Sequence, residues 1–483
     1  MSREIYEPVI GLEVHIQLLT NSKAFSADPA EFGAMPNTNI SVISLGHPGT
    51  LPFFNKRVAD FALRLGLACK SSITHENIFA RKNYFYADLP KGYQITQDKT
   101  PICTGGSIRI KTADQTTRDI AITRIHMEED AGKSMHDQDP YDSLIDLNRA
   151  GVPLLEMVSE PEIRNSEEAY AYLTEVRKLV RYLDICDGNM EEGSMRCDAN
   201  ISVRKKGETR FGTKVEVKNM NSIRNVQRAI EFEIDRQIAL LESGGTISQE
   251  TRSFDASQGN TFSLRSKETA NDYRYFPEPD LCPLFIKAED IERVKAAMPP
   301  LPEELYQNFV STFGLSDYDA TNLTDSKPVA LYFNQLCSLT KNYKAAANWV
   351  MGPIKSYLNE RALEMEAFPL APEKIVELIQ MIDQGQLNFS VASQKIFPIL
   401  TENPASSALN IAGEQNLIQN SNSELINEWV QQALLKYPEK VLEYRSGKTG
   451  LLGLFMGEVM KLSQGKADPK LANTLVKAAL DAR

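Results

Sequence analysis

The first 295 residues are marked by alternation of apolar and polar side chains. Between Val9 and Leu19, apolar residues alternate with Glu13, His15 and Gln17. Similar alternation recurs over residues 120–128, 197–204 and 213–218. Because a strand projects successive side chains to opposite faces, each segment predicts a half-buried antiparallel strand.

Two segments of this region instead follow the period of a helix. Ser166 is predicted as an N-cap, because the acidic residues Glu167 and Glu168 and an apolar stripe follow it. Ser222 is predicted to begin the second helix, which the pair Gly244-Gly245 ends.

The pattern changes at a proline cluster, residues 298–302. Beyond it the periodicity is helical, and a polar stretch over residues 413–423 predicts a linker. We therefore predict an α+β fold with a mostly antiparallel sheet over residues 1–295, a helical domain over 296–410 and a small all-α tail over 411–483.

Composition excludes some classes of protein. No apolar run of the 483-residue chain approaches the ~20 residues that cross a bilayer, and the start lacks the profile of a signal peptide. A cytoplasmic protein is expected. Six cysteines without a CxxC pair argue against a disulfide framework and against a cysteine zinc site.

The net charge of −11 does not favour a polyanionic partner for the whole molecule. Two stretches are locally basic: residues 202–228 carry eight Lys or Arg against two Glu, and residues 436–483 carry nine against five acids. Each is either a solvated face or a nucleic-acid contact.

The polar faces of the predicted strands carry the candidate chemistry. Side chains two residues apart in a strand project to the same face. The following side chains therefore share faces: Glu13 with His15; Arg124 with His126 and Glu128; Asp198 with Asn200, Ser202 and Arg204; and Lys214 with Glu216 and Lys218. One interpretation is the wet face of an antiparallel sheet. The other is a site for Mg²⁺ and nucleotide phosphates, because carboxylates with an imidazole suit this cation.

Two loops, residues 81–95 and 272–280, combine aromatic and cationic side chains. They could stack on bases or a terminal adenosine, or form an aromatic edge of the core. A P-loop is excluded, because Leu442 occupies the first glycine position before Gly447-Lys448-Thr449. The chain also lacks the GxGxxG, GxSxG and HExxH motifs and an amidase signature.

Several motifs resemble one family, the GatB subunit of the aspartyl/glutamyl-tRNA amidotransferase. They are IGLEVHIQL (10–18), residues 81–94, HMEEDAGK (126–133), DLNRAGVPLLE (146–156), EGSMRCDAN (192–200), KVEVKNMNS (214–222) and residues 273–280. The similarity extends to the C-terminal segments 444–448, 460–461 and 465–469.

This resemblance implies a cradle related to glutamine synthetase, followed by helical domains. It implies that ATP and Mg²⁺ bind the cradle and that the side-chain carboxylate of Glu-tRNA(Gln) or Asp-tRNA(Asn) is phosphorylated. Ammonia from an amidase subunit would arrive through a channel and displace phosphate. A small third subunit would complete a heterotrimer.

The resemblance also implies roles for individual residues. The expected metal ligands are Glu13, His15 and Glu128, with Asp198 and Glu216 as further contributors. The expected catalytic residues are Lys82, Tyr84, Lys91 and Glu128, the two lysines facing a channel or phosphate. Arg149, Arg274 and Lys214 are expected to contact ATP phosphates or the tRNA acceptor end.

Two further expectations concern His126 and zinc. His126 is interpreted as structural. Some family members bind zinc through four cysteines near the start, but the corresponding positions here are Ser26, Asp28, Ser41 and Ser44. No structural zinc is therefore expected.

Two other functions remain open from the residues. A free-standing ATP-dependent amide ligase would act on a small carboxylate without tRNA. A non-catalytic tRNA-binding adaptor would keep the basic tail and tolerate loss of the carboxylates.

Overall fold

A computed structural model describes residues 2–112, 114–135, 138–266, 273–418, 423–463 and 465–482. The chain divides into two compact units, Met1–Pro302 and Glu303–Arg483.

The strands of the described residues all lie in the first unit. In chain order they are β1 (Tyr6–Gln17), β2 (Ser72–Ile73), β3 (Glu76–Asn77), β4 (Phe79–Asn83), β5 (Tyr93–Gln97), β6 (Cys103–Thr104), β7 (Ser107–Lys111), β8 (Thr117–Glu129), β9 (Lys133–Met135), β10 (Leu144–Asp146), β11 (Pro153–Ser159), β12 (Met195–Lys205), β13 (Val215–Met220), β14 (Glu250–Asp255), β15 (Asn260–Ser266), β16 (Phe276–Pro277) and β17 (Leu284–Phe285).

Ten of these strands form one sheet, in the order β15-β14-β13-β12-β1-β11-β8-β6-β2, with β7 paired to β8. Its neighbours run antiparallel except β13 and β14, which are parallel. The four strands predicted from alternation are therefore present, and three of them, β1, β12 and β13, are consecutive in the sheet.

Three helices pack against the sheet: α2 (Lys56–Ala68), α3 (Ser166–Tyr182) and α4 (Ile223–Glu242). They follow α1 (Ser2–Ile5) and precede α5 (Ala288–Ala296). Leu12, Val14 and Ile16 of β1 are fully buried in the core of this unit. The intervening Glu13, His15 and Gln17 consequently project to the opposite face.

The start of α3 differs from the prediction by one residue. Asn165, not Ser166, is the N-cap, and its side chain accepts a hydrogen bond from the backbone N–H of Glu168. The Glu168 carboxylate in turn accepts from the backbone N–H of Arg164. The acids that follow Ser166 favour it in the sequence, but an Asn one position earlier caps equally well.

From Pro302 onward the described residues form helices and no further strand. The α-helices are α6 (Pro302–Ser311), α7 (Asp317–Leu323), α8 (Lys327–Leu339), α9 (Tyr343–Trp349), α10 (Lys355–Arg361), α11 (Pro372–Asp383), α12 (Phe389–Val391), α13 (Phe397–Glu402), α14 (Ala408–Glu414), α15 (Ser423–Lys436), α16 (Pro438–Arg445), α17 (Leu452–Leu462) and α18 (Pro469–Asp481). The predicted change from sheet to helices after the proline cluster is confirmed.

The last helices have a hydrophobic core of their own. α15, α17 and α18 pack together around Ile426, Val430, Phe455, Val459 and Val476. Helix α14 packs on α11 and α13 instead, and it spans the boundary placed at residues 410 and 411. The three-part division remains a prediction.

No helix of the described residues combines the length and apolar character that would cross a membrane. Of the six cysteines, five are buried and Cys282 is exposed, and all six are free thiols.

Candidate functional site

The register of the sheet lines up polar side chains from four strands. On one side of β1, His15 is opposite Glu156 of β11, which in turn is opposite His126 of β8. On the other side, His15 is opposite Arg196 of β12. Strands lie about 4.8 Å apart, so these side chains form a continuous row across the polar face.

Two further rows flank this central row. The next row towards the start of β1 contains Arg124, Val158, Glu13 and Asp198. The row on the other side contains Glu128, Leu154 and Gln17. The rows bring Glu13, His15, Glu128 and Asp198 onto one surface. The alternation predicted the shared face within each strand, and the strand pairing joins these faces.

Glu156 lies at the centre of the carboxylate cluster. The His15 Nε2 atom is 3.3 Å from Glu156 Oε2 and 3.9 Å from carboxylate oxygens of Glu13 and Glu128. The His126 Nε2 atom is 3.5 Å from Glu128 Oε2 and 3.6 Å from Glu156 Oε2. The Thr96 hydroxyl donates a hydrogen bond of 3.2 Å to Glu128 Oε2.

The cluster divides into two groups that share Glu156. In each group, one atom from every side chain lies within 4.8 Å of the others: Glu13, His15 and Glu156 form the first, and His126, Glu128 and Glu156 the second. Carboxylate oxygens and imidazole nitrogens are suitable ligands for a hard divalent cation. The donor set therefore fits the implied Mg²⁺.

Electrostatic coupling between neighbours determines the protonation of the cluster. Burial and the charge of Glu156 raise the pKa of Glu13 to about 7. Burial alone would lower the pKa of His15, but the hydrogen bond to Glu156 and the nearby carboxylates raise it to about 9. Burial also opposes ionisation of Glu156, yet His126, His15 and Lys82 hold its pKa well below the usual range.

A cavity of about 270 Å³ opens onto the cluster. Its lining comprises Glu13, Lys82, Thr96, Gln97, Asp98, Arg124, His126, Glu156, Glu216, Lys218, Tyr273 and Tyr275. The Lys82 amine lies 5.0 Å from the centroid of the Tyr273 ring. Burial alone would lower the pKa of Lys82, but the charge of Glu128 and of other neighbours raises it. Lys82 therefore carries a positive charge into the cavity.

Asp198 and Glu216 are joined to a lysine that was not among the expected site residues. The Lys218 amine forms ion pairs with both carboxylates, at 3.2 Å from Glu216 Oε1. Thr251 donates a further hydrogen bond of 2.8 Å to Glu216. These two expected metal ligands thus sit at the edge of the cluster with a cation between them.

Lys91 lies in a different cavity from Lys82. It pairs with Glu129 in a cavity of about 120 Å³, where Glu129 also accepts a hydrogen bond from the backbone N–H of Ile95. Lys23 lines this second cavity, and burial lowers its pKa to about 8. The Tyr84 ring centroid lies 6.0 Å from the Lys82 amine and 6.0 Å from the Tyr273 ring centroid.

The three expected phosphate contacts are not gathered at the carboxylate cluster. Arg149 donates hydrogen bonds to the backbone carbonyls of Ala131 and Gly132. Arg274 is exposed in a backbone conformation with φ of 42°. Lys214 is exposed and precedes β13. The lining of the cavity at the cluster includes none of these three residues.

The sequence patterns did not single out Glu156, and they assigned His126 to a structural role. A signal for Glu156 exists: it is the only ionisable residue in β11, whose other side chains are Pro, Leu, Met, Val and Ser. A lone carboxylate in an apolar strand must be paired or ligated. His126 is buried, its Nδ1 has no partner among the described residues, and its Nε2 faces the cluster.

The four positions that correspond to zinc cysteines form a polar cluster. Asp28 Oδ2 accepts hydrogen bonds from the backbone N–H of Ser41 and from the Ser44 hydroxyl, and Ser26 Oγ lies 3.2 Å from Ser44 Oγ. Hydrogen bonds thus connect these positions without a thiolate.

Two family models match most of the chain. Residues 8–292 match the model described as the GatB/GatE catalytic domain, and residues 331–480 match the GatB domain. The first match contains every residue of the carboxylate cluster.

Proteins named as the B subunit of aspartyl/glutamyl-tRNA(Asn/Gln) amidotransferase are similar over nearly the whole chain. The protein from Trichlorobacter lovleyi is 50% identical, covering 98% of this chain and 99% of the relative. Those from Chlorobium limicola and Persephonella marina are 48% and 46% identical, and the matches cover 99% and 98% of this chain and 99% of each relative. The chain therefore belongs to the GatB family of aspartyl/glutamyl-tRNA(Asn/Gln) amidotransferase subunits.

Proposed function

We propose that this chain is the ATP-using, tRNA-binding subunit of a ligase that forms a carbon–nitrogen bond with glutamine as amide donor. It converts Glu-tRNA(Gln) or Asp-tRNA(Asn) into Gln-tRNA(Gln) or Asn-tRNA(Asn). The observation that carries the proposal is the cluster of His15, Glu128 and Glu156 inside the domain that matches the family's catalytic model.

The reaction needs activation because a carboxylate oxygen is a poor leaving group. In the first step, an oxygen of the side-chain carboxylate attacks the γ-phosphorus of ATP, and ADP leaves with the electrons of the broken P–O bond. In the second step, ammonia attacks the acyl carbon, phosphate leaves and the nitrogen loses a proton. Lys82 offsets negative charge at the transferring phosphoryl group.

The two groups that share Glu156 would hold Mg²⁺. Glu13 and His15 would complete one group, and His126 and Glu128 the other. Asp198 and Glu216 would contribute at the edge, where Lys218 now links them. Bound Mg²⁺ would neutralise the phosphate charge of ATP.

Ammonia would come from another chain, because no amidase signature occurs here. Lys91 lies with Glu129 in the cavity separate from the carboxylate cluster, so we assign Lys91 to the route of ammonia rather than to phosphate. Tyr84 would lie beside the end of that route, near Lys82. An amidase subunit and a small third subunit would complete a heterotrimer in the cytoplasm.

The tRNA would be held by the helical tail. Several of its cations are committed to ion pairs, but Lys461, Lys466, Lys470 and Lys477 form none with the residues that the structure describes. Lysines outside ion pairs can contact phosphates. We also propose that the first domain is related to glutamine synthetase. Arg149, Arg274 and Lys214 would contact phosphates of ATP or the tRNA acceptor end.

The proposal is tested by substituting carboxylates of the cluster in the complex reconstituted with its amidase partner. Glu156→Gln and Glu128→Gln should lower ATP-dependent formation of Gln-tRNA by at least ~100-fold, because each removes a charge from the cluster. Glutamine hydrolysis by the partner should largely survive. Product is measured as amidated aminoacyl-tRNA.

Glu208→Gln is the matched control, because Glu208 is an exposed carboxylate in the connection between β12 and β13, outside the cluster. Normal amidation by both cluster variants would reject the site and favour a non-catalytic adaptor. Turnover of ATP by the isolated chain with free glutamate and ammonia would instead favour a free-standing ligase.

A further inference from the structure

Arg124 lies on the polar face of the sheet that carries the carboxylate cluster, and it has no partner among the described residues. It lines the cavity at the carboxylate cluster, yet its side chain forms no hydrogen bond or ion pair with any of them. By contrast, Arg196 forms an ion pair with Asp130 at 2.9 Å. Lys218 on the same face of the sheet is paired with Asp198 and Glu216.

The sheet register places no carboxylate directly opposite Arg124. Its neighbour on β11 is Val158, and Glu13 lies beyond Val158 in the same row. Two strand spacings place the Cα atoms of Arg124 and Glu13 roughly 10 Å apart. On its other side Arg124 is opposite Thr104, which is neutral. The apolar Val158 thus separates the guanidinium from the cluster.

A half-buried guanidinium that pairs with no described residue favours an anion from outside the chain. Its planar fork matches two oxygens of a phosphate or carboxylate. The clustered carboxylates of the same cavity repel a bare anion. A ligand that brings its own divalent cation, as a nucleoside triphosphate does, meets both requirements.

We propose that Arg124 holds a phosphate of the nucleotide that remains on the departing diphosphate. This inference rests on the proposed function, which brings ATP to the cavity. Lys82 lines the cavity together with Glu156 and His126, so we place Lys82 at the centre, beside the transferred phosphoryl group. Arg124 stands in the flanking row, two residues before His126 in β8, so it meets a phosphate beside that centre.

Val158 leaves Arg124 without a charged residue directly opposite it on β11. A carboxylate at position 158 would lie directly opposite Arg124 and pair with it. Val158 therefore keeps the guanidinium available to the nucleotide. This gives a second way to remove the Arg124 interaction without changing Arg124.

The test measures steady-state amidation by the reconstituted complex with ATP, glutamine and Glu-tRNA varied separately. Arg124→Gln should raise KM for ATP about 10- to 100-fold, because one charge-assisted hydrogen bond to the nucleotide is removed. The kcat at saturating ATP should fall less, and KM for Glu-tRNA and glutamine should stay unchanged. Arg124→Lys should restore part of the affinity, because it keeps the charge without the fork.

Arg109→Gln is the matched control, since Arg109 is an exposed arginine on the adjacent β7 that pairs with Asp119. It removes the same charge and should leave KM for ATP unaltered. Val158→Glu should raise KM for ATP more than Val158→Gln, because only the glutamate can neutralise Arg124.

Equal KM for ATP in Arg124→Gln and Arg109→Gln would overturn the inference and leave the proposed function standing. A rise confined to KM for Glu-tRNA would also overturn it, because Arg124 would then contact the acceptor. Amidation by the wild-type complex that does not require ATP would instead reject the proposed function itself.

Discussion

At the scale of single residues, charge is determined by neighbours across the sheet more than by neighbours along the chain. His15 and Glu156 are far apart in sequence, but the pairing of β1 with β11 brings their side-chain atoms to 3.3 Å. Glu156 is ionised because two imidazoles and Lys82 surround it. Nearby positive charges offset the burial of Glu13 less completely, so burial and the charge of Glu156 raise its pKa to about 7.

These pKa values predict that affinity for a divalent cation rises with pH between about 6 and 9. A ligating carboxylate must lose its proton, and a ligating imidazole must be neutral. Raising the pH through about 7 deprotonates Glu13, and raising it towards about 9 deprotonates His15. Titration with Mn²⁺ should show roughly a tenfold gain in affinity per pH unit for each proton displaced.

The variant His15→Gln supplies the control for this titration. It removes the group that titrates near pH 9 and keeps Glu13, so its affinity should be lower and should stop rising above about pH 8. A wild-type affinity for Mn²⁺ that does not change between pH 6 and 9 would contradict the assignment of both residues as ligands.

At the scale of elements, the alternation of side chains along each strand places the polar residues of the site on one face of the sheet. Glu13 and His15 share a face because they are two residues apart, and their apolar neighbours Leu12 and Val14 are fixed in the core. A shift of β1 by one residue would bury the charges. The helices on the other face hold this register, and their caps therefore contribute to the geometry of the site.

Helix α3 offers a test of that contribution. Asn165→Ala should lower the free energy of unfolding of the first unit by about 1 kcal/mol, because the N–H of Glu168 loses its acceptor. Urea unfolding followed by circular dichroism measures the change. Ser166→Ala should cost less, since the Ser166 hydroxyl hydrogen-bonds only to the Glu167 carboxylate, at 3.4 Å, among the described residues. A larger loss of stability in Ser166→Ala than in Asn165→Ala would identify Ser166 as the N-cap.

At the scale of the whole molecule, the two proposed tasks, carboxylate activation and tRNA binding, lie in different compact units. The carboxylate cluster lies in Met1–Pro302, and the tail lysines that pair with no described residue lie in Glu303–Arg483. The core of the tail is formed by α15, α17 and α18 with few residues from outside them. Substitutions on the tail surface should therefore leave the cluster intact.

The tail is predicted to contribute an electrostatic, salt-dependent part of tRNA affinity. Replacing Lys461, Lys466, Lys470 and Lys477 together by Gln should weaken binding. It should also reduce the slope of log affinity against log salt by roughly one for each phosphate that is no longer neutralised. Filter binding or fluorescence anisotropy at several salt concentrations measures both quantities, and amidation at saturating tRNA should persist.

Lys440→Gln is the comparison for these variants, because Lys440 already pairs with Glu443 at 2.7 Å. Its substitution should change the salt slope less than substitution of any of those four lysines. An unchanged slope in the fourfold variant would mean that the tRNA is held elsewhere in the complex.

The sequence by itself determined what period and local chemistry can encode. Alternation about Glu13 and His15 predicted β1 and its polar face, and the proline cluster predicted the change to helices. The family followed from long motifs. These features depend on residues close in sequence, where the backbone repeat fixes which side chains share a face.

Only the tertiary structure decided which faces meet. The pairing of β1 with β11 placed Glu156 between two imidazoles, and the pairing of β8 with β11 put Val158 beside Arg124. It also assigned Lys82 and Lys91 to separate cavities and left Arg149 hydrogen-bonded to backbone carbonyls. Strand order and register arise from packing between residues distant in sequence, and no local pattern specifies them.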